Sequence, residues 1–565
     1  MIPSGTKFVG INPNFPTTER KSAQNNAAQD VYTIEEILEE AGGAIGTSYI
    51  VVKGNGTESE NAIELQTAYA YAANATPYGV GLTTDNRFTV LVYPGTYLFD
   101  EAFEINSSYV DVIAISTLKA EYTQSVIIPN GVAVIANDIR VKGISTMNSP
   151  FSVESGLGRA FIENCSGGYY SFSPIDYITN QGTLDSVFIN CQGGSYSFGF
   201  YQNATGTFEN CTAGDYSFGS SDDNTIVGYA NGVFTNCSAG ANSFGVFGKA
   251  GGTFTNCVAS DYSFGYACNA SGDFINCTGN QYCFGVGDNS LEILASANGS
   301  FTDCTASDFS FGYLNSASGS FTRCKGGVYS FGSDNNSDAS GNFTDCTAGD
   351  YSFGYKGVAS GTFDRCTAGY TSFGSSDSTS SISLCTGLFT DCTAVGFSFG
   401  YLGSMSEVAI FNNCTSGEYS FCSTADTNGN INCNATFNNC HAQGWSFGFN
   451  AKVLDYANFN NCTAGAYSFC GGNSEITEMR ANTTFNNCIA GDYSFGSFIN
   501  FKGKAYYCVG GSLSFGGDFS LNGQVYYSRL TAGTFITVTG LGITRYCLNG
   551  DDTPDNQGGL TLALA

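Results

Sequence analysis

The 565-residue chain contains 73 Gly, 46 Phe, 34 Tyr and 23 Cys, but only one His and one Trp. Its charged fraction of 12% is about half that of an ordinary soluble domain, and an aromatic fraction of 14% excludes a disordered chain. The formal net charge of −28 has the wrong sign for phosphate backbones or an anionic membrane surface, so no nucleic-acid partner is expected. No apolar run reaches the about 18 residues of a membrane span, and no Gly-X-Y period points to collagen.

Residues 1–48 are polar, with scattered Pro, Asn and Thr. The opening MIPSGTKFVGINPNF lacks the basic and apolar segments of a secretory signal, so assembly in the cytoplasm is expected. In that reducing setting the cysteines are expected to be thiols. A short helix is predicted over 33–41 (TIEEILEEA), capped by Thr33. The segment is too polar for a core of its own and is expected to order on a partner. A second helix is predicted over 61–75 (NAIELQTAYAYAANA), where Asn61 and Glu64 have capping-box spacing. FTVLVYPGTYLF (88–99) and VIIPNGVAVIANDIRVKGI (126–144) then read as strands, whose open edge the helix is expected to cover.

Sixteen copies of a unit typified by GTFTNCVASDYSFGY (252–266) follow, with Cys at 165, 191, 211, 237, 257, 277, 304, 324, 346, 366, 392, 414, 440, 462, 488 and 508. Spacings are mostly 20 or 26. Phe stands seven residues after every one of these cysteines, and three before in fourteen copies, Ile162 and Ala505 being the exceptions. Only Ala, Gly or Ser stands two after, and five after is aromatic in thirteen. Ser528 and Cys547 mark degenerate further copies, with Phe535 seven beyond Ser528. Length varies only between the SFG triplet and the next Phe, so segments such as 220–231 are predicted loops. The period excludes leucine-rich repeats, which need leucines, and propeller blades of about 40 residues. It suits a parallel β-helix, in which like residues stack about 4.8 Å apart. FxNC and YSF are predicted strands, and the Gly after SF a turn.

The residue before the cysteine tests the stacking. It is Asn in ten copies, predicting a ladder of amides. In five successive copies it becomes Asp303, Arg323, Asp345, Arg365 and Asp391, an alternation with meaning only if rungs stack. Each Arg is expected to contact the carboxylates on both sides.

The run of helix, VLVYPGTY and alternating segments over about residues 50–165 resembles the start of pectin-lyase-like right-handed β-helices. That fold hosts lyases, hydrolases, esterases and inert viral fibres alike. The arm KFVGINPNFPTTERKSAQNNAAQDVYTIEEI and the NCTAGDYSFG-type repeats resemble virion structural proteins of tailed bacteriophages, tail-fibre and other appendage proteins in particular. The resemblance implies a β-helical shaft, a homotrimer, and an N-terminal arm docked on other virion proteins.

Candidate chemistry is sparse. The cysteines form a line without CxxC pairs, which suits stacked small hydrophobes better than zinc. Six copies carry an acid four residues after the cysteine (Asp215, Asp261, Asp308, Asp350, Glu418, Asp492), read as a solvated stripe. His441, the lone histidine, should face out, and Trp445 replaces the usual Tyr of its column. Outward Thr235, Thr255, Thr302, Thr322 and Thr344 form a column broken at Glu209, Ile275 and Asp364, too irregular for an ice-binding array. The acidic segments 332–338 and 549–557 match no EF-hand loop.

The expected organisation is an all-β, right-handed parallel β-helix: an attachment arm (1–48), a capping helix and first rungs (49–150), a repetitive shaft (151–516), and last rungs with a cap (517–565). The expected function is a non-enzymatic structural component of a virion appendage, a tail fibre or spike, anchored by its arm and contacting a host-surface glycan or protein receptor. No catalytic, cofactor-binding or metal-binding residue is predicted, and no cofactor. A tailspike-type glycan depolymerase and a head or capsid fibre are the alternatives, and a bacterial surface adhesin is a third reading.

Overall fold

The computed structural model describes residues 7–9 and 48–555, apart from 116–124, 157–159, 174–181, 226, 289, 335–336, 379–382, 425–430, 455, 473–477, 497–498, 500, 516–521 and 534–542. The predicted helix over 33–41, most of the arm and Phe535 lie outside the described residues. The chain forms two compact units, residues 1–263 and 264–565. Both are parallel β-solenoids, with about 18 turns in all and about 22 residues per turn.

In the first unit, Ser48–Val52, Phe88–Val92 and Val110–Ala114 pair in parallel, with Ile50, Val90 and Val112 in one row. The sheet continues through Arg140–Lys142, Phe161–Glu163, Val187–Ile189, Thr207–Glu209, Val233–Thr235 and Thr253–Thr255. Two more parallel sheets close the early turns, one through Gly95–Thr96, Val126–Ile127 and Ile144–Ser145, the other through Phe103–Ile105, Val132–Val134 and Phe151–Val153. Lys7–Val9 of the arm pairs antiparallel with Ser48–Val52, so part of the arm lies on the chain's own edge strand.

Helix α1 spans Glu58–Ala73. Its capping box is Thr57 with Glu60, one turn before the predicted pair Asn61 and Glu64. Thr57 is extended and so can serve as N-cap, whereas Asn61 is buried and does different work. Its side chain accepts from Gly56 N (2.8 Å) and donates to Thr96 O (3.1 Å), tying the helix to the adjoining turn. Ala62, Leu65, Ala68, Tyr69 and Ala72 recur at three- and four-residue spacing and form the buried face, which packs on the first strands. Nearby, the buried Arg87 guanidinium donates Nε to Asp111 Oδ2 (2.8 Å) and Nη2 to Asp138 O (2.7 Å), while Asp111 also accepts Arg140 N (2.8 Å).

The second unit stacks the strands Asp273–Ile275, Ser300–Thr302, Ser320–Thr322, Asn342–Thr344 and Thr362–Asp364 in one parallel sheet, with Phe274, Phe301, Phe321, Phe343 and Phe363 in register. The degenerate copies continue the same sheet: Lys504–Tyr506 pairs with Gln524–Tyr526, and that with Ile543–Arg545. Pro554–Asp555 then pairs antiparallel with Cys547–Leu548.

Two phenylalanine columns fill each unit's interior. Phe188, Phe208, Phe234 and Phe254 stack at 5.2, 4.8 and 4.8 Å between centroids. Phe198, Phe218 and Phe244 stack at 4.7 Å and meet the first column edge to face. These are all fully buried, each worth roughly 1.5–3 kcal/mol in transfer terms.

One prediction needs correction: YSF is not a strand. Tyr196 and Phe198 both have left-handed φ (62° and 54°), as do their equivalents, and the following Gly199 has φ 85°. The segment bends sharply, yet Tyr196 N still reaches Asp215 O (2.8 Å) and Phe198 N reaches Ser171 O (2.9 Å) on neighbouring rungs. Inter-rung hydrogen bonding therefore survives a conformation that alternation alone does not distinguish from a strand. Likewise the loop 220–231 ends in a strand, Tyr229–Ala230, paired with Asn203–Ala204.

Candidate functional site

The residue before each ladder cysteine also has left-handed φ, 53° at Asn190 and 51° at Arg365. Asn and Asp tolerate that region best, which explains why they fill most of the column. The predicted amide ladder is present. Asn190, Asn210, Asn236 and Asn256 each donate Nδ2 to the Oδ1 of the preceding Asn at 3.0 Å. A second amide ladder runs beside it through Asn412, Asn438, Asn460 and Asn486, at 2.9, 2.9 and 2.8 Å.

The charge ladder differs from expectation. Arg323 binds Asp303 through both oxygens (2.7 and 2.8 Å), and Arg365 binds Asp345 (2.6 and 3.0 Å). Neither makes a hydrogen bond to the Asp of the following rung; Asp391 instead accepts Asn413 Nδ2 (2.9 Å). The reason is directional: the inter-rung donors of this column, amide or guanidinium, point to the preceding rung, and Arg365 Nη1 turns to the adjacent Asp364. The guanidinium groups hold Asp303 and Asp345 below the usual carboxylate range.

The acids four residues after cysteine lie at the surface, with Asp215, Glu418 and Asp492 exposed, and four of them also hold the next rung. Asp215, Asp308, Asp350 and Asp492 accept the backbone N–H of the equivalent residue one rung on, Ala241, Val328, Tyr370 and Ser512, at 2.8, 2.8, 2.7 and 2.7 Å. A buried serine ladder went unread in the sequence. Ser197, Ser217 and Ser243 each donate N–H to the next rung's Ser Oγ at 3.2 Å, and the second unit repeats this at Ser330, Ser352 and Ser372. The signal was there: Ser stands six residues after the cysteine in every copy but one, where Cys283 replaces it.

Outside the turn, the aromatic column forms a half-buried stack. Phe397, Tyr419, Trp445, Tyr467 and Tyr493 are 5.2, 5.4, 5.8 and 5.0 Å apart. Trp445 thus occupies its column as an ordinary member, with both ring faces against neighbours. His441 is exposed, as expected, and its Nδ1 meets Thr463 Oγ1. A second aromatic layer bears hydroxyls paired with loop carboxylates, Tyr266 to Asp288 (2.8 Å) and Tyr313 to Asp334 (3.4 Å). That pairing occupies Asp334 of the segment 332–338. In 549–557, Asp551 accepts Thr553 N (3.1 Å) and Asp552 meets Arg529 (3.0 Å).

All 23 cysteines are free thiols. The ladder cysteines are buried, and Cys211 Sγ lies 3.5 Å from Phe188 O of the preceding rung. Cys547 repeats that contact on Val525 O (3.4 Å), and Ser528 takes the cysteine place by accepting Cys508 N (3.1 Å). Burial pushes the Cys165 thiol up to about 12. Among the described residues no group of three or more His, Cys, Asp or Glu is placed to hold a metal ion. No helix among them is long and apolar enough to cross a membrane.

The class defined by these features is a repetitive parallel β-solenoid held together by side-chain ladders. Set against known proteins, the chain matches no family model, no curated protein and no solved structure. The pectin-lyase-like and tail-fibre likenesses therefore rest on sequence motifs.

Proposed function

We propose that the chain is a non-enzymatic structural component of a tailed-bacteriophage appendage, a tail fibre or spike whose solenoid is the shaft and whose residues 1–48 attach it to the particle. The observation that carries this reading is the use made of the repeat's carboxylates. Asp215, Asp308, Asp350 and Asp492 hold backbone N–H groups of the next rung, and Asp303 and Asp345 hold arginines. Acids engaged in rung-to-rung cohesion stiffen a shaft, whereas general acid–base work needs an open, convergent pair. Repetition of one rung also suits a protein whose task is length.

The test is particle assembly. Residues 1–48 removed, the solenoid is expected to remain folded but to be missing from purified particles, where a cryo-EM map locates the full-length chain. Incorporation of the shortened chain at the normal level would refute the attachment role.

A further inference from the structure

The two outward columns that carry paired asparagines upstream (Asn412 and Asn413, Asn438 and Asn439, Asn460 and Asn461, Asn486 and Asn487) change character in the last three described rungs. They become Tyr506 and Tyr507, Tyr526 and Tyr527, and Arg545 and Tyr546. The alternate residues Ala505, Val525 and Thr544 point inward and are fully buried, so the tyrosines lie on the outer face. Tyr507, Tyr527 and Tyr546 are 58%, 49% and 65% exposed. Packing of the core therefore does not require them, and the upstream asparagines show what the column needs for cohesion alone.

The rings are ordered by one another. Tyr507 stacks on Tyr527 at 5.1 Å, Tyr527 on Tyr546 at 4.8 Å, and Tyr506 on Tyr526 at 5.4 Å. Stacking uses the ring faces, so the surface presents edges and hydroxyls at a regular step close to the length of one pyranose ring. Among the described residues, the hydroxyls of Tyr506, Tyr507, Tyr526 and Tyr527 make no hydrogen bond within the protein. Charge is local too. In a chain of net −28, the three tyrosine-bearing strands Lys504–Tyr506, Gln524–Tyr526 and Ile543–Arg545 carry two cations and no acid. The cations are Lys504 and Arg545.

We propose that this tyrosine and cation surface binds an acidic polysaccharide, a polyuronate-type chain laid across the rungs, along the tyrosine stack. The phenol hydroxyls meet the sugar hydroxyl groups, and Arg545 and Lys504 meet its carboxylates. A protein partner would call for an apolar centre, which stacked rings showing only their edges do not supply. As the receptor contact of an appendage the surface rests on the reading above; as a polyuronate site it does not.

The test uses the full chain, alginate oligosaccharides as the probe and dextran oligosaccharides of equal length as the neutral control, followed by titration calorimetry. Alginate is expected to bind, weakening as salt rises, with dextran at least about tenfold weaker. Y507N/Y527N/Y546N, which restores the upstream residue, should keep the unfolding midpoint and lose about tenfold or more in alginate affinity, the loss of a typical aromatic hot spot. R545Q should weaken alginate binding while leaving dextran unchanged. Equal binding of the two glycans, no binding, or undiminished affinity in both variants would overturn the proposal. Self-association of the native chain that Y507N/Y527N/Y546N abolishes would also overturn it, assigning the surface to a second copy instead. Particle incorporation is read separately, so loss of this site and loss of the appendage role are told apart.

Discussion

Arg365 grips Asp345, twenty residues earlier, through both carboxylate oxygens, and leaves Asp391 of the following rung to Asn413. The same backward direction runs through the amide ladder, where Asn439 donates to Asn413 at 3.1 Å and Asn461 to Asn439 at 3.0 Å. Charged and neutral rungs thus interchange because Asn and Arg both donate to the rung before, and Asn and Asp both accept from the rung after.

Arg365→Ala is expected to lower the unfolding midpoint more than Arg365→Asn. Alanine leaves Asp345 without its donor, whereas asparagine restores an amide donor and suits the left-handed backbone at φ 51°. Arg365 lowers the Asp345 pKa, so the pair's stabilisation is present above the ordinary carboxylate pKa and fades as pH falls through the lowered one. Thermal melts of both variants between neutral and acid pH check this; indistinguishable midpoints at neutral pH would count against the ladder.

Ser352→Ala is expected to cost about 1–3 kcal/mol, because the buried Ser330 N–H loses its acceptor at 3.2 Å. Ser352→Cys should cost less, since Cys283 already holds the equivalent place on another rung of the same column. Denaturant midpoints compared with the parent chain decide the order.

Removing the Asp111 carboxylate strands the buried Arg87 guanidinium and Arg140 N–H. Asp111→Ala is therefore expected to cost about 3–5 kcal/mol, while the paired change Arg87→Met with Asp111→Leu should cost far less. Calorimetric unfolding distinguishes them, and equal losses would show that packing rather than charge dominates there.

Cysteine burial sets an alkaline limit. The Cys165 thiol is raised from 9.0 to about 12, so its contribution is complete below pH 9.0 and is lost as pH rises toward about 12. Stability should fall over that interval, and a thiol reagent at neutral pH should label the ladder cysteines only in denaturant. Rapid labelling of the folded chain would contradict their burial.

Full-length protein incubated with purified host polysaccharide is expected to release no new reducing ends and no unsaturated sugar absorbance. Release abolished by changing one acidic residue would favour the depolymerase.

The amino-acid sequence by itself determined which residues stack. Backbone hydrogen bonding holds rungs at a constant step, so invariant spacings such as Cys304 to Phe311 and Cys324 to Phe331 are enough to predict columns, and Phe311 and Phe331 do stack at 4.8 Å. Asn236 over Asn210 was legible for the same reason. Spacing carries no sign for φ, however, and YSF looks alike as a strand or as the left-handed bend that Tyr196 and Phe198 adopt. Nor does it say whether a side chain leans to the rung before or the rung after, so Arg365 choosing Asp345, and Asp350 capping Tyr370 N, were decided only by the tertiary structure. Caps behave likewise: Thr57 rather than Asn61 begins the helix because Asn61 is drawn into the contact with Thr96, a residue 35 positions away.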